Sequence, residues 1–124
     1  MRVQDLIAYK KSFNLAMSIF KVSKEFPKEE TYSLTDQIRR SSRSVCANLS
    51  EAYCKRRYQK HFISKLTDCD AENAETQTWL EFAFSCDYIQ KQTFEELTNE
   101  SIEISKLINF MILNPEKFGS KSAY

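Results

Sequence analysis

The residues of this chain best suited to chemistry are the arginines and lysines near its middle. A guanidinium group matches a phosphate with two parallel hydrogen bonds, and a lysine ammonium supplies a compact point charge. Such a cluster suggests an anionic partner, which is either nucleic acid or the acidic helices of a neighbouring subunit. The candidate nucleic-acid-binding residues are Arg39, Arg40, Arg43, Lys55, Arg56 and Arg57.

The same segment predicts the helix that positions these side chains. At about 100° per residue, one stripe of a helix over residues 33–57 would face a core. Arg39, Arg43 and Arg57 fall on the opposite side of this helix. Tyr53 and Tyr58 lie beside the basic residues and are placed to stack on unpaired bases. The predicted core stripe consists of Leu34, Ile38, Ser41, Val45, Leu49 and Ala52.

Charge is divided unevenly along the chain, although the formal net charge is only +1. Residues 39–65 hold eight basic residues and one acidic residue, whereas residues 66–103 hold ten acidic residues and one basic residue. This asymmetry is compatible with nucleic-acid contact, with pairing between complementary surfaces of two copies, or with two solvated helix faces. The sequence alone leaves these alternatives open.

No arrangement of residues predicts an enzyme, a metal site or a cofactor. The four cysteines form no CxxC pair, the chain has one histidine, and its only glycine is Gly119 in the C-terminal segment. Asp68 and Asp70 resemble the start of a calcium loop, but Asn73 stands where that loop needs glycine. No apolar run is long enough to span a membrane and no signal peptide precedes the first helix, so a reduced, cytoplasmic protein is predicted.

Four helical segments account for nearly the whole chain. One glycine and two prolines are too few for a turn-rich β fold. Capping-box patterns begin at Ser33 and Thr93. We predict an all-α, antiparallel up-and-down four-helix bundle over residues 1–115 and a flexible C-terminal tail over residues 116–124. The helices are expected over residues 4–26, 33–57, 59–89 and 93–114.

The first and third helices each carry a second apolar face, which predicts a homo-oligomer. An exposed aromatic at the centre of an interface is a typical anchor for a second copy of the chain. The predicted oligomer-interface residues are Leu15, Ile19, Val22, Trp79, Phe82 and Ile89.

Several segments resemble the four-helix-bundle proteins of the 23S ribosomal RNA intervening-sequence family. The resemblance runs from about Asp5 to Asn114, and it rests on the motifs named next. They are Phe26-Pro27-Lys-Glu-Glu30, Tyr32-Ser-Leu-Thr-Asp-Gln-Ile-Arg-Arg40, Ala47-Asn-Leu-Ser-Glu-Ala52, Phe62-Ile-Ser-Lys-Leu66 and Glu75-Thr-Gln-Thr-Trp-Leu-Glu-Phe-Ala83. The chain departs from the common pattern at Cys46, where many members have proline, and at Ala52 and Asp87, where glycine is frequent.

The resemblance implies a four-helix bundle that assembles as a ring-like homopentamer and is associated with ribosomal RNA insertions. Related proteins are accessories of reverse transcriptases in diversity-generating retroelements. From the residues and the resemblance we predict a non-enzymatic, cytoplasmic, oligomeric protein that contacts ribosomal or other RNA through its basic helix. The alternative is a self-assembling scaffold or adaptor with no nucleic-acid role.

Overall fold

The computed structural model describes residues 1–122, and over this range the chain is helical with no β-strand. The α-helices are α1 (Ile7–Ser23), α2 (Leu34–Cys54), α3 (Gln59–Ser85) and α4 (Lys91–Leu113). Short 3-10 helices occupy Val3–Asp5, Lys28–Glu30 and Pro115–Phe118. The prediction of an all-α fold built from four long helices is confirmed.

Hydrogen bonds between helices show how neighbouring helices are arranged. The Thr76 hydroxyl lies 2.9 Å from the Ser41 hydroxyl, and the Cys69 thiol lies 3.6 Å from the Val45 carbonyl oxygen. Residue numbers rise along α2 as they fall along α3, so these two helices run in opposite directions. Within residues 1–122, α1 and α3 each pack against both α2 and α4, and the core lies between the four helices.

The core stripe predicted for α2 is buried along its whole length. The exposed fraction falls from 6% at Leu34 to 0% at Leu49 and Ala52. Because this stripe faces inward, the side chains on the other flanks of α2 are directed towards neighbouring helices or solvent. The position of each arginine around α2 therefore follows from the packing of this stripe.

One layer of the core is polar and joins α3 to α4. The Asn73 amide donates to the Ser101 carbonyl oxygen at 2.8 Å, and the Ser101 hydroxyl donates to the Asn73 side-chain oxygen at 2.8 Å. Gln77 also donates to the Ser101 hydroxyl at 3.0 Å. Sliding α3 along α4 would leave these buried groups without partners, so the layer fixes the register of the two helices.

Of the two apolar stripes on α1, the structure buries the one predicted to be an interface. Leu15 and Ile19 are 3% and 1% exposed in the protein's own core, and Val22 packs half-buried against it. The outward stripe carries Phe13 and Met17, which are 50% and 41% exposed. The interface prediction is corrected for Leu15 and Ile19, because a second copy could contact them only if the bundle unfolded.

The predicted interface residues near the end of α3 also separate into inner and outer groups. Ile89 is buried at 8% exposure, so its assignment to an interface is corrected in the same way. Trp79 is half-buried, and its indole nitrogen is buried without a hydrogen-bond partner within residues 1–122. Phe82 is 52% exposed and lies 5.9 Å from Trp79, measured between ring centroids.

The starts of α2 and α4 differ from the predicted capping boxes. Gln90, with an extended backbone, is the N-cap of α4, so Thr93 lies inside the first turn. Ser33 is the N-cap of α2 as predicted, but its side chain makes no capping hydrogen bond. Instead the Glu30 carboxylate accepts a hydrogen bond from the Leu34 backbone N–H at 3.2 Å. A carboxylate from the preceding turn thus replaces the predicted hydroxyl cap.

Residues 116–120, predicted as part of a flexible tail, instead pack against the bundle. The 3-10 helix Pro115–Phe118 ends in a left-handed turn at Gly119, where φ is 86°. Ser120 is fully buried and Phe118 packs half-buried against the core. The remainder of the predicted tail reaches residues 123–124, which lie outside the described residues.

Candidate nucleic-acid interface

The six predicted basic residues lie in two groups rather than on one continuous stripe. Arg39, Arg40 and Arg43 are in the first half of α2, beside the end of α1. The other three follow α2 directly, between Cys54 and the start of α3. Arg43 and Cys54 are about three turns apart, or roughly 16 Å at 1.5 Å of rise per residue.

Arg39 has a structural role in the first group. Its Nε donates to the Ser23 hydroxyl at 2.7 Å, and its guanidinium lies 4.8 Å from the centre of the Phe20 ring. Both partners belong to α1, and Arg39 is half-buried between the helices. The prediction that Arg39 faces away from the core side of α2 is therefore corrected, since its guanidinium is already engaged in joining α2 to α1.

The other two arginines of this group are exposed but are not equivalent. Arg43 lies 5.5 Å from the centre of the Phe20 ring, on which Lys24 is also placed at 4.7 Å. Arg40 extends into solvent, with 74% of its side chain exposed, and lies 3.9 Å from the Asp36 carboxylate. An exposed pair of this kind contributes little to stability, so Arg40 is available to an anion but is already partly neutralised.

The second group lies in a tight junction that contains neither glycine nor proline. Lys55 N–H bonds to the Glu51 and Ala52 carbonyl oxygens as α2 ends, and Tyr58 N–H bonds to the Lys55 carbonyl oxygen at 2.9 Å. Tyr58 has an extended backbone and is the N-cap of α3. The reversal is completed within four residues, which places the intervening side chains at the end of the bundle. The predicted continuation of α2 to Arg57 is corrected accordingly.

Arg56 covers Tyr53 and removes that ring from the candidate site. The Arg56 guanidinium lies 3.9 Å from the centre of the Tyr53 ring, and its Nη1 donates to the Tyr53 carbonyl oxygen at 2.7 Å. The Tyr53 hydroxyl donates to the Met1 carbonyl oxygen at 3.1 Å. Tyr53 is only 9% exposed, so the prediction that it stacks on bases is corrected.

Lys55 is partly neutralised by Glu51, which lies one turn earlier on α2. Its ammonium is 3.5 Å from the Glu51 carboxylate, and Lys65 of α3 approaches the same carboxylate at 3.1 Å. The hydrogen bond from Lys65 and the two positive charges lower the pKa of Glu51, which remains ionised. Lys55 therefore presents a weaker field to solvent than its sequence position indicates.

Arg57, Lys60 and Lys121 lie together at this end. Within residues 1–122, no ion pair involves any of the three, whereas seven pairs are formed elsewhere. They line an open cleft of about 690 Å³ together with Tyr58 and His61, and among residues 1–122 no carboxylate lines it. We call Arg57, Tyr58, Lys60 and Lys121 the basic end.

Lys121 is the member of the basic end that sequence reasoning missed. The sequence predicts that it lies in a flexible tail, far from the other basic residues. The left-handed turn at Gly119 brings it back to the junction, where a carbon atom added at Gly119 would lie 3.4 Å from Arg56 Nε. The signal available in the sequence was the pairing of Pro115 with Gly119, which is typical of a short helix and its stop.

Comparison with known families and structures identifies proteins that are similar to this chain. A profile of the 23S rRNA-intervening sequence protein family matches residues 4–110. The chain belongs to this family. The match covers all four α-helices except the last turn of α4.

A solved member supports the same assignment. This is the crystal structure of a protein of unknown function from the S23 ribosomal protein family of Bacteroides thetaiotaomicron. It superimposes with a TM-score of 0.77 at 33% sequence identity, covering 86% of this chain and 98% of that one. No match was found among curated proteins.

Within residues 1–122, this family member shows no arrangement of three His, Cys, Asp or Glu side chains that could hold a metal ion. None of the helices in that range is both long and apolar enough to cross a membrane. The solved relative is of unknown function, and the family description names no enzymatic activity. The groups that the basic end presents to solvent are cations and an exposed aromatic ring.

Proposed function

We propose that this protein is a non-enzymatic RNA-associated protein that contacts RNA phosphates through its basic end. The observation that supports the proposal most strongly is the cleft lined by Arg57, Lys60 and Lys121, where three cations lie together and no carboxylate of the described residues joins them. Like charges held together at a surface repel one another unless an anion joins them. A polyanion relieves this repulsion at several positions at once.

The description of the matched family indicates which polyanion to propose. The matched family is described as 23S rRNA-intervening sequence proteins, which links its members to insertions in ribosomal RNA. For this chain we therefore propose ribosomal or other RNA as the partner and the cytoplasm as the location where the two meet. The first group of arginines is left to secondary contacts, because Arg39 is engaged with Ser23, Arg40 is partly neutralised by Asp36, and Arg43 lies over the Phe20 ring away from the cleft.

The direct test is the salt dependence of RNA binding by the wild-type protein. Phosphate contacts release counterions, so the affinity falls linearly with the logarithm of salt concentration. Three contacts on a single strand predict a slope of about −2. Electrophoretic or fluorescence titrations across a salt series measure this slope. Absence of binding at low salt, or an affinity that does not change with salt, would contradict the proposal.

We also propose that the protein assembles with itself, because its outward apolar surface is large. Phe13 and Met17 line an open groove of about 390 Å³ between α1 and α2, together with Tyr9. Single exposed apolar residues are ordinary, but an aromatic pair beside a groove is typical of an interface. The exposed Phe82 provides a second apolar position on α3. The resemblance described above predicts a pentamer.

Light scattering on the wild type and on Phe13→Glu tests this assembly. The variant is expected to have a lower mass at equal helical content, because a buried carboxylate at an interface carries a large desolvation cost. Phe82→Glu examines the second apolar position in the same way. A wild-type protein that is monomeric at micromolar concentration would contradict the proposal and would exclude the scaffold alternative as well.

A further inference from the structure

Tyr58 is an exposed aromatic ring within the basic end. It is 61% exposed, although tyrosine carries a large apolar surface. His61 meets it edge-on, with 5.9 Å between ring centroids, and the Arg57 guanidinium lies 6.0 Å from its centre. The ring is therefore held at the junction by its neighbours while much of its surface stays open to the cleft.

The cations around Tyr58 are arranged in two adjoining clefts. The larger cleft, of about 690 Å³, contains Tyr58 itself. A second cleft of about 360 Å³ is lined by Cys54, Arg56 and Gly119. Both clefts share Arg57 and Lys121. Two anionic groups joined by a short linker can thus lie on either side of the shared cations, with a flat group beside Tyr58.

We propose that the basic end binds an unpaired nucleotide, with its base stacked on Tyr58 and its flanking phosphates on Arg57, Lys60 and Lys121. This inference rests on the proposed function and specifies its ligand as single-stranded or bulged RNA. In a duplex the bases are already stacked on one another, and their faces are closed to a tyrosine ring. An unpaired base offers its face, and stacking of this kind tolerates any base.

The opposite end of the bundle supplies a matched control for the aromatic ring. Tyr32 is 94% exposed, so its substitution disturbs packing even less than that of Tyr58. It lies near Glu29 and Glu30, whose charges repel phosphate. The two tyrosines therefore compare an exposed ring in a basic setting with one in an acidic setting.

The experiment measures equilibrium binding of an unstructured single-stranded RNA, the same strand annealed to its complement, and inorganic polyphosphate at one low salt concentration. The full-length wild type is compared with Tyr58→Ala, Tyr58→Trp and Tyr32→Ala. We expect the wild type to prefer the single strand. Tyr58→Ala should weaken single-strand binding by about tenfold, the scale of one stacked base, and should leave the duplex and polyphosphate unchanged. Tyr58→Trp should restore binding, and Tyr32→Ala should have no effect.

Three outcomes would contradict the stacking of a base on Tyr58. The first two leave the proposed function standing, and the third rejects it as well. If Tyr58→Ala weakens all three ligands equally, the ring acts on the shape of the cleft and not on a base. If the wild type binds single strand and duplex equally and Tyr58→Ala changes neither, binding is by charge alone, and the proposed function stands without this inference. If the wild type binds none of the three ligands, both fail.

Discussion

Arg39 and Arg40 are neighbours in sequence but differ in what they do. Arg39 donates to the Ser23 hydroxyl at 2.7 Å and covers Phe20, whereas Arg40 extends into solvent beside Asp36. Helical periodicity separates them by only 100° around α2, which is too little to predict that one is engaged and the other free. Which of them meets α1 depends on the packing of two helices and not on the pattern of one.

This difference predicts different effects on stability. Arg39→Ala should lower the free energy of unfolding by about 1 kcal/mol, because it removes a charge-assisted hydrogen bond from a half-buried site. Arg40→Ala should change it by less than about 0.5 kcal/mol, since the lost pair is exposed. Urea denaturation of both variants measures the difference. Equal effects would contradict the structural role assigned to Arg39.

The cysteines are a second case in which burial decides chemistry. Burial raises the pKa of the Cys46 thiol from 9.0 to about 11 and that of the Cys69 thiol to about 12. Both thiols therefore stay protonated in the folded protein at mildly alkaline pH. Cys54 and Cys86 are exposed. The nucleophile in thiol chemistry is the thiolate, so buried Cys69 and, to a lesser degree, half-buried Cys46 should resist modification.

We predict that a maleimide reagent at mildly alkaline pH modifies Cys54 and Cys86 first, and that Cys69 reacts only after denaturant is added. Mass spectrometry of proteolytic fragments identifies the labelled positions. The contribution of these two thiols to the free energy of unfolding should be full below pH 9.0. It should fall as the pH rises towards about 11, because the unfolded chain releases these protons more readily. Rapid labelling of Cys69 in the folded protein would contradict its burial.

At the scale of elements, the end of α3 has a backbone conformation that suits glycine better than the aspartate found there. Asp87 N–H bonds to the Phe84 carbonyl oxygen and Tyr88 N–H to the Ala83 carbonyl oxygen, which is the Schellman arrangement. Asp87 has a φ of 62°, in the left-handed region that costs most residues energy but not glycine. This is the position at which the family resemblance leads one to expect glycine.

Two substitutions at Asp87 should therefore change stability in opposite directions. Asp87→Gly should stabilise the protein by about 0.5–1 kcal/mol, because glycine adopts a positive φ without a steric penalty. Asp87→Ala should destabilise it, because alanine has neither glycine's freedom nor the local hydrogen bonding of aspartate. Thermal unfolding distinguishes the two. A destabilised glycine variant would show that the aspartate side chain has another role.

The sequence predicted the elements better than their ends and contacts. The core stripe of α2 from Leu34 to Ala52 follows directly from its 3.6-residue period, which burial against a partner enforces. The period could not show which apolar stripe of α1 faces inward, because the stripe of Leu15 and the stripe of Phe13 both consist of large apolar residues at helical spacing. Nor could it show that Gly119 returns Lys121 to the junction, since that contact depends on the three-dimensional path of the chain.

For the molecule as a whole, the antiparallel packing turns a charge pattern along the sequence into two different ends. The α2–α3 junction and the C-terminal turn together form the basic end. The connections α1–α2 and α3–α4 lie at the opposite end, which carries many carboxylates. Exposed or half-buried acidic residues there are Glu25, Glu29, Glu30, Asp87 and Glu95. Lys24, Lys28 and Lys91 lie at the same end, so the two ends differ in their carboxylates and not in the presence of cations.

The most direct test of the central claim, that RNA meets the basic end, uses two variants with equal loss of charge. One carries Arg57→Gln, Lys60→Gln and Lys121→Gln. The other carries Lys24→Gln, Lys28→Gln and Lys91→Gln at the opposite end. The first should lose at least about tenfold in RNA affinity and most of the salt dependence, while the second should bind like the wild type. Equal losses in both variants would contradict the claim, because net charge alone would then account for binding.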